Sequence, residues 1–187
     1  MTELALLARE VGVNERTLRR AVTEGSLRAV RPTPRTLQMP LSERQYVRRS
    51  WMLLSALRTA LRTEHNVRFA LLFGSAARGT AAPGSDVDVL VAMRDPRLER
   101  VVELGAKLTA ATGRRVDVVR LEDAQSEPSF LAEVIADGRV LVDREGLWSG
   151  LRGREPSLRR ASRRTDAQRA QAALAGIDRV LSEHGRS

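Results

Sequence analysis

The sequence predicts a fold of mixed helices and strands, and three observations lead to that prediction. Four short apolar runs have the length of buried strands, and they cover residues 67–73, 87–93, 116–119 and 140–142. An amphipathic helical pattern covers residues 98–112, and Gly113 closes it. The chain has 187 residues and no cysteine, and no apolar run approaches the roughly 20 residues of a membrane span. We therefore expect an α+β protein of the cytoplasm, without a signal peptide or a membrane segment.

Helical periodicity dominates the first part of the chain. Leu4, Leu7, Ala8 and Val11 fall on one face of a helix. Gly12 suits a turn, and Asn14 is a good N-cap for a second helix, which would carry Arg16, Arg19 and Arg20 on its exposed face. A stiff basic loop with Arg28, Arg31 and Arg35 is expected next, and a further helix is expected to begin near Ser42.

This first segment resembles the winged helix-turn-helix domains of MerR-like and excisionase-like proteins. The resemblance covers residues 1–49 and depends on the spacing of Ala8, Gly12 and Leu18, on the EGSL turn and on the LSERQYV helix. It implies that six arginines contact DNA: Arg16, Arg19, Arg20, Arg28, Arg31 and Arg35. A small helical cap packed on the rest of the protein is the alternative interpretation.

The remaining chain divides into a central unit, residues 50–147, and a C-terminal helical segment, residues 148–187. The central unit should begin with a helix from Trp51 to Thr63, and a short helix should follow the first strand from Ser75. Another helix is expected over Phe130 to Ala136. In the C-terminal segment, a polar break at 152–156 should precede a helix over 158–184.

A loop and a pair of carboxylates link the first two strands. Gly74-Ser75 ends the first strand, and Arg78-Gly79 lies in the small-residue loop that follows. Asp86 and Asp88 stand two residues apart at the start of the second strand, so both side chains project from one face. Paired carboxylates beside a loop of phosphate size suit a divalent metal and a nucleoside triphosphate.

The pattern GSxARG, then SDxDxxV, then Asp117 on a later strand resembles the DNA polymerase beta-like nucleotidyltransferases, and most closely their minimal members. The resemblance implies a small mixed sheet, preceded by the all-α helix-turn-helix segment and followed by the C-terminal helix. It implies that Asp86, Asp88 and Asp117 are catalytic and hold Mg²⁺. It also implies a nucleotide-binding set: Gly74, Ser75, Arg78, Gly79 and Ser85. Arg114 and Arg115 could touch the nucleotide, but the favoured interpretation leaves them in solvent.

The same resemblance implies Mg²⁺-dependent transfer of a nucleoside monophosphate, AMP from ATP, to a hydroxyl group of a partner protein. Minimal members are often antitoxins paired with a HEPN-type toxin, and a DNA-binding segment would let such an antitoxin repress its own operon as a homodimer. Two alternatives stay open. The acceptor could be a tRNA or a small molecule, with this chain itself a toxin, or the protein could be a regulator that senses a nucleotide without turnover.

The net charge of +9 lies in the two flanks of the chain. Residues 1–49 contain ten Arg and five Glu, whereas the centre of the chain is close to neutral. Contact with nucleic acid would explain the positive balance. A high-GC genome would also favour arginine, and Lys107 is indeed the only lysine.

Overall fold

The computed structural model describes residues 2–33 and 36–164. Its N-terminal part consists of two short helices, a hairpin and a long helix: α1 (Glu3–Glu10), α2 (Glu15–Thr23), β1 (Val30–Thr33), β2 (Thr36–Gln38) and α3 (Leu41–Arg62). The following elements are β3 (Val67–Phe73), α4 (Gly74–Arg78), β4 (Val87–Met93), α5 (Leu98–Thr112), β5 (Val116–Arg120), α6 (Leu121–Gln125), α7 (Pro128–Asp137) and β6 (Arg139–Asp143). Residues 147–164 are helical. Across these ranges, every helix is too short or too polar to cross a lipid bilayer.

A four-stranded sheet with the order β5-β4-β3-β6 forms the centre of the molecule. β3 pairs antiparallel with both β4 and β6, whereas β4 and β5 run parallel. The sheet is therefore mixed, as predicted. The register places Asp88 opposite Phe73 on one side and opposite Asp117 on the other.

The two faces of the sheet bury two hydrophobic cores, because alternate residues of a strand point to opposite faces. In β3, Ala70 and Leu72 face a core shared with α3 and α5, whereas Phe69 and Leu71 face a core shared with α6 and α7. The first core continues without interruption into α1 and α2. The N-terminal helices are thus packed onto the sheet unit.

The long helix α3 corrects the expectation of two separate helices. It runs without a break from Leu41 to Arg62, and the predicted boundary between residues 49 and 50 falls inside it. No glycine or proline interrupts the segment, and Val47, Trp51 and Leu54 are buried along one face. Continuous packing on α1, α5 and β6 therefore favours one helix of 22 residues.

Two further segments differ from the predictions. The expected basic loop is an antiparallel hairpin, β1–β2, and Pro32 is tolerated because this two-stranded sheet has free edges. Arg35 lies outside the described residues. The expected polar break at 152–156 is helical, because Leu151 and Leu158 are seven residues apart on one helical face and are both buried in the second core. Residues 165–184 of the predicted C-terminal helix also lie outside the described ranges.

A buried ion pair joins the N-terminal helices to the sheet. The Arg139 guanidinium at the start of β6 contacts both carboxylate oxygens of Glu43 on α3, at 2.5 and 2.9 Å, and both side chains are almost fully buried. Arg139 Nε also donates to the Ala77 carbonyl of α4 at 2.6 Å. The guanidinium carbon lies 3.4 Å from the centroid of the Tyr46 ring, a cation–π distance. Three elements therefore meet at one side chain.

We expect Arg139→Met to lower the free energy of unfolding by about 3 kcal/mol, because it leaves the Glu43 carboxylate buried without its partner. Urea denaturation followed by circular dichroism would measure the change. Replacing both partners, as Arg139→Met with Glu43→Leu, should recover part of the loss. The matched control is Arg48→Ala on the same helix, since Arg48 forms only an exposed pair with Glu10. Equal stability of Arg139→Met and the control would contradict the expectation.

Candidate active site

A glycine turn connects β3 to the short helix α4. Gly74 has φ +69°, in the left-handed region that favours glycine. A Cβ atom at this position would lie 2.5 Å from Oδ2 of Asp88. Only glycine therefore allows the turn and the Asp88 carboxylate to approach this closely.

Three carboxylates lie at the end of the sheet beside this turn. Asp88 is the second residue of β4 and Asp117 is the second residue of β5, and the parallel register places them side by side. Asp86 immediately precedes β4. The side chains of Asp86 and Asp117 are 45% and 44% exposed, so this end of the sheet is open to a ligand.

The pKa of Asp88 is raised above its ordinary value, chiefly because the carboxyl is partly buried and secondly because Asp117 and Asp86 lie close to it. The positive charge of Arg78 acts in the opposite direction. Mutual repulsion among carboxylates is the condition that a bound cation relieves. The site is therefore electrostatically suited to a divalent ion.

Arg115 contacts two of the three carboxylates. Its Nε atom lies 3.2 Å from Asp117 Oδ1 and 4.0 Å from Asp86 Oδ2. The favoured sequence interpretation had left this arginine in solvent, and its side chain is 72% exposed. The available signal was its position two residues before Asp117, since residues two apart in an extended chain point to the same side.

The other predicted site residues are distributed around the turn. Ser75 lies in α4, and Ser85 accepts a hydrogen bond from Arg114 through its carbonyl. Arg78 pairs with Asp137 at 2.5 Å, at the end of α7. Gly79 has φ +78° and faces the Tyr46 ring, where a Cβ atom would lie 2.9 Å from Cδ2. The structure thus gives Gly79 a packing role, next to the Arg139 cluster.

The chemistry of the donor set fits Mg²⁺, since carboxylate oxygens are the ligands that hard cations prefer. In residues 2–33 and 36–164, no three His, Cys, Asp or Glu side chains are grouped so that they could already hold a metal ion. Asp86, Asp88 and Asp117 are neighbours on the sheet, however, and Arg115 lies against two of them. These three are the carboxylates that could take up a cation here.

Comparisons with known proteins cover this part of the chain. The family described as "Polymerase beta, Nucleotidyltransferase" matches residues 56–146. A protein adenylyltransferase, MntA of Thermococcus cleftensis, is 40% identical over 86 residues, which are 44% of this chain and 87% of MntA. The chain belongs to the polymerase beta nucleotidyltransferase family. The matched stretch contains every predicted catalytic and nucleotide-binding residue, and the protein is a nucleotidyltransferase.

Two solved structures share the nucleotidyltransferase fold. One is a toxin–antitoxin structure with AMP-PNP, and the other is a mutant of the toxin–antitoxin pair MntA–HpeT. Each matches with a TM-score of 0.52 over 66% of this chain and 97% of the matched chain, at 24% and 22% identity. At this level of sequence identity, the similarity shows that the fold is shared.

We expect Gly74→Ala to lower nucleotidyl transfer by about a hundredfold, because the new methyl group displaces the Asp88 carboxylate and small misplacements of reacting groups are costly. Transfer of radiolabel from α-³²P-ATP measures the rate. Gly146→Ala is the matched control, since Gly146 has φ +70° and open space around it. It carries the same backbone strain, about 1 kcal/mol, and should keep its activity. Equal activity of the two variants would contradict the predicted role of Gly74.

The raised pKa of Asp88 predicts how stability depends on pH. Folding favours the protonated carboxyl, so the wild-type stability conferred by this group is complete at pH values below about 4. It is lost as the pH rises through the folded-state pKa. Without divalent metal, Asp88→Asn should therefore melt at a higher temperature than the wild type at neutral pH, and the difference should vanish in acid. Thermal melts across this range test the prediction, and a less stable variant at neutral pH would contradict it.

Proposed function

We propose that the protein transfers AMP from ATP to a hydroxyl group of a partner protein, and that the partner is a HEPN-type toxin. The main support is the 40% identity that covers 87% of the adenylyltransferase MntA. Under this proposal the chain is the antitoxin of a toxin–antitoxin pair.

In the proposed reaction, the attacking hydroxyl oxygen forms a bond to the α-phosphorus of ATP. The bond from that phosphorus to the bridging oxygen breaks, and pyrophosphate leaves with its electron pair. Asp117 receives the proton of the attacking hydroxyl. Gly74 lets the backbone approach the phosphates, and the Ser75 hydroxyl donates a hydrogen bond to a phosphate oxygen.

Mg²⁺ would be held by Asp86, Asp88 and Asp117, and when bound it neutralises negative charge on the phosphates. Partial burial is the main cause of the raised pKa of Asp88, and the negative charges of Asp117 and Asp86 raise it further; this second contribution supports the assignment. Arg115 offsets part of that repulsion in the described structure, through its contacts with Asp86 and Asp117.

The double variant Asp86→Asn/Asp88→Asn should lose at least a thousandfold in transfer, because both proposed metal ligands lose their charge. The measurement uses α-³²P-ATP, Mg²⁺ and the purified product of the adjacent gene, with bulk tRNA in a parallel reaction. Asp95→Asn is the control, since Asp95 pairs with Arg97 on the surface.

Label on the neighbouring protein, lost in the double variant and after chelation of Mg²⁺, would support the proposal. Label on tRNA alone would overturn the protein acceptor and make the chain an RNA-modifying enzyme. Bound ATP without any label transfer would favour the nucleotide-sensing regulator.

We further propose that the N-terminal segment binds operator DNA. The support is a pair of short helices, α1 and α2, joined by a turn at Gly12, with the Asn14 side chain accepting the Thr17 backbone N–H at 2.9 Å. Exposed Arg16, Arg19 and Arg20 lie on α2, and Arg31 is exposed on the hairpin. Arg28 fits a DNA contact less well, because its guanidinium donates to the Asp137 carbonyl at 2.8 Å.

Binding to duplex DNA from the upstream region of the gene, measured at several salt concentrations, tests this part of the proposal. Arg19→Gln should weaken binding and reduce its salt dependence. If no duplex is bound, the segment is the helical cap of the alternative interpretation.

A further inference from the structure

A cationic groove lies between α2 and α3. It has a volume of about 330 Å³, and four arginines line it: Arg16 and Arg20 from α2, and Arg58 and Arg62 from α3. The remaining lining is mainly hydroxyl and amide side chains, and none of the lining residues is a carboxylate.

The four arginines form two matched rows. Arg16 and Arg20 are four residues apart on α2, and Arg58 and Arg62 are four residues apart on α3. Residues at this spacing lie on the same helical face, about 6 Å apart along the axis. Arg16, Arg20 and Arg62 are exposed, whereas the Arg58 side chain is only 12% exposed and pairs with Glu24, so the first three supply the accessible charge of the groove.

A second depression, of about 710 Å³, shares Arg20, Arg58 and Arg62 with the groove. Its two carboxylates are already engaged. Glu24 pairs with Arg20 and Arg58, and Asp143 accepts the backbone N–H groups of residues 147 and 148. The positive charge of this region is therefore only partly compensated.

Arg16 and Arg62 are the arginines of the groove with no ion pair to a carboxylate in the part of the chain that the structure describes. Both residues are exposed to solvent. They can therefore bind an anion without breaking an existing salt bridge.

We infer that this groove binds the phosphate backbone of duplex DNA, so that the DNA-contact surface extends from α2 onto the end of α3. The inference rests on the proposed DNA binding and names a contact surface for it. Repeated guanidinium groups, of which Arg16 and Arg62 form no ion pair in the described residues, suit a repeating polyanion. Arg62 lies inside residues 56–146, so the nucleotidyltransferase unit itself takes part in binding.

Fluorescence anisotropy with a labelled duplex of random sequence tests the inference, because phosphate contacts are independent of sequence. Arg16→Gln and Arg62→Gln should each raise Kd about five- to tenfold near 0.1 M salt and lower the salt slope by about 0.9. Arg62→Lys should retain most of the affinity, since it keeps the charge. Arg49→Gln is the matched control, because Arg49 is an exposed residue of α3 that does not line the groove.

The possible outcomes distinguish the groove assignment from the proposed operator binding on which it rests. If Arg19→Gln weakens binding while Arg16→Gln and Arg62→Gln behave like the control, the groove assignment fails and operator binding stands. If the wild type binds no duplex at low salt, the groove assignment and the proposed operator binding both fail. The proposal of nucleotidyl transfer then stands, because it does not depend on DNA binding. If an RNA hairpin or polyglutamate binds more tightly through the same arginines, the assignment to DNA fails. Circular dichroism melts confirm that each variant is folded.

Discussion

The Arg139–Glu43 ion pair is the constraint on which the rest of the structure depends. Removing two charges from water is costly, and here the cost is offset by bidentate pairing, by the Ala77 carbonyl and by the face of the Tyr46 ring. Through Ala77 the same guanidinium holds α4, the helix that begins at Gly74. The glycine turn is therefore held in place by a group that lies outside the candidate active site.

The pair also explains why the N-terminal helices and the sheet unit behave as one packed body. Around it, the Ser26 hydroxyl donates to the Val140 carbonyl at 2.5 Å, and the Val140 N–H donates to the Gly25 carbonyl at 3.1 Å. These bonds cover part of the free edge of β6 and fix the end of α2. As a result the arginines of α2 and α3 are held in a defined arrangement, and the packing of these two helices fixes the shape of the groove between them.

Local signals in the sequence predicted the elements that carry the site. The apolar runs predicted β3 and β4 with the observed bounds, and the i, i+2 spacing of Asp86 and Asp88 predicted their common edge. Glu43 and Arg139 were missed because they are 96 residues apart and neither has a local pattern. The continuity of α3 and of residues 147–164 was missed for a related reason: buried leucines on one face outweigh polar neighbours, and burial depends on the tertiary partner.

Strand β6 contacts α4 at one end and lines the arginine-rich depression along the rest of its length. Its first residue, Arg139, donates to the Ala77 carbonyl of α4, whereas the depression is lined by residues 140–143. A bare polyphosphate is repelled by Asp86, Asp88 and Asp117 unless a cation intervenes, and it is attracted directly by the arginines. The proposed nucleic-acid surface and the nucleotide site can therefore act on phosphates without competing for the same ligand.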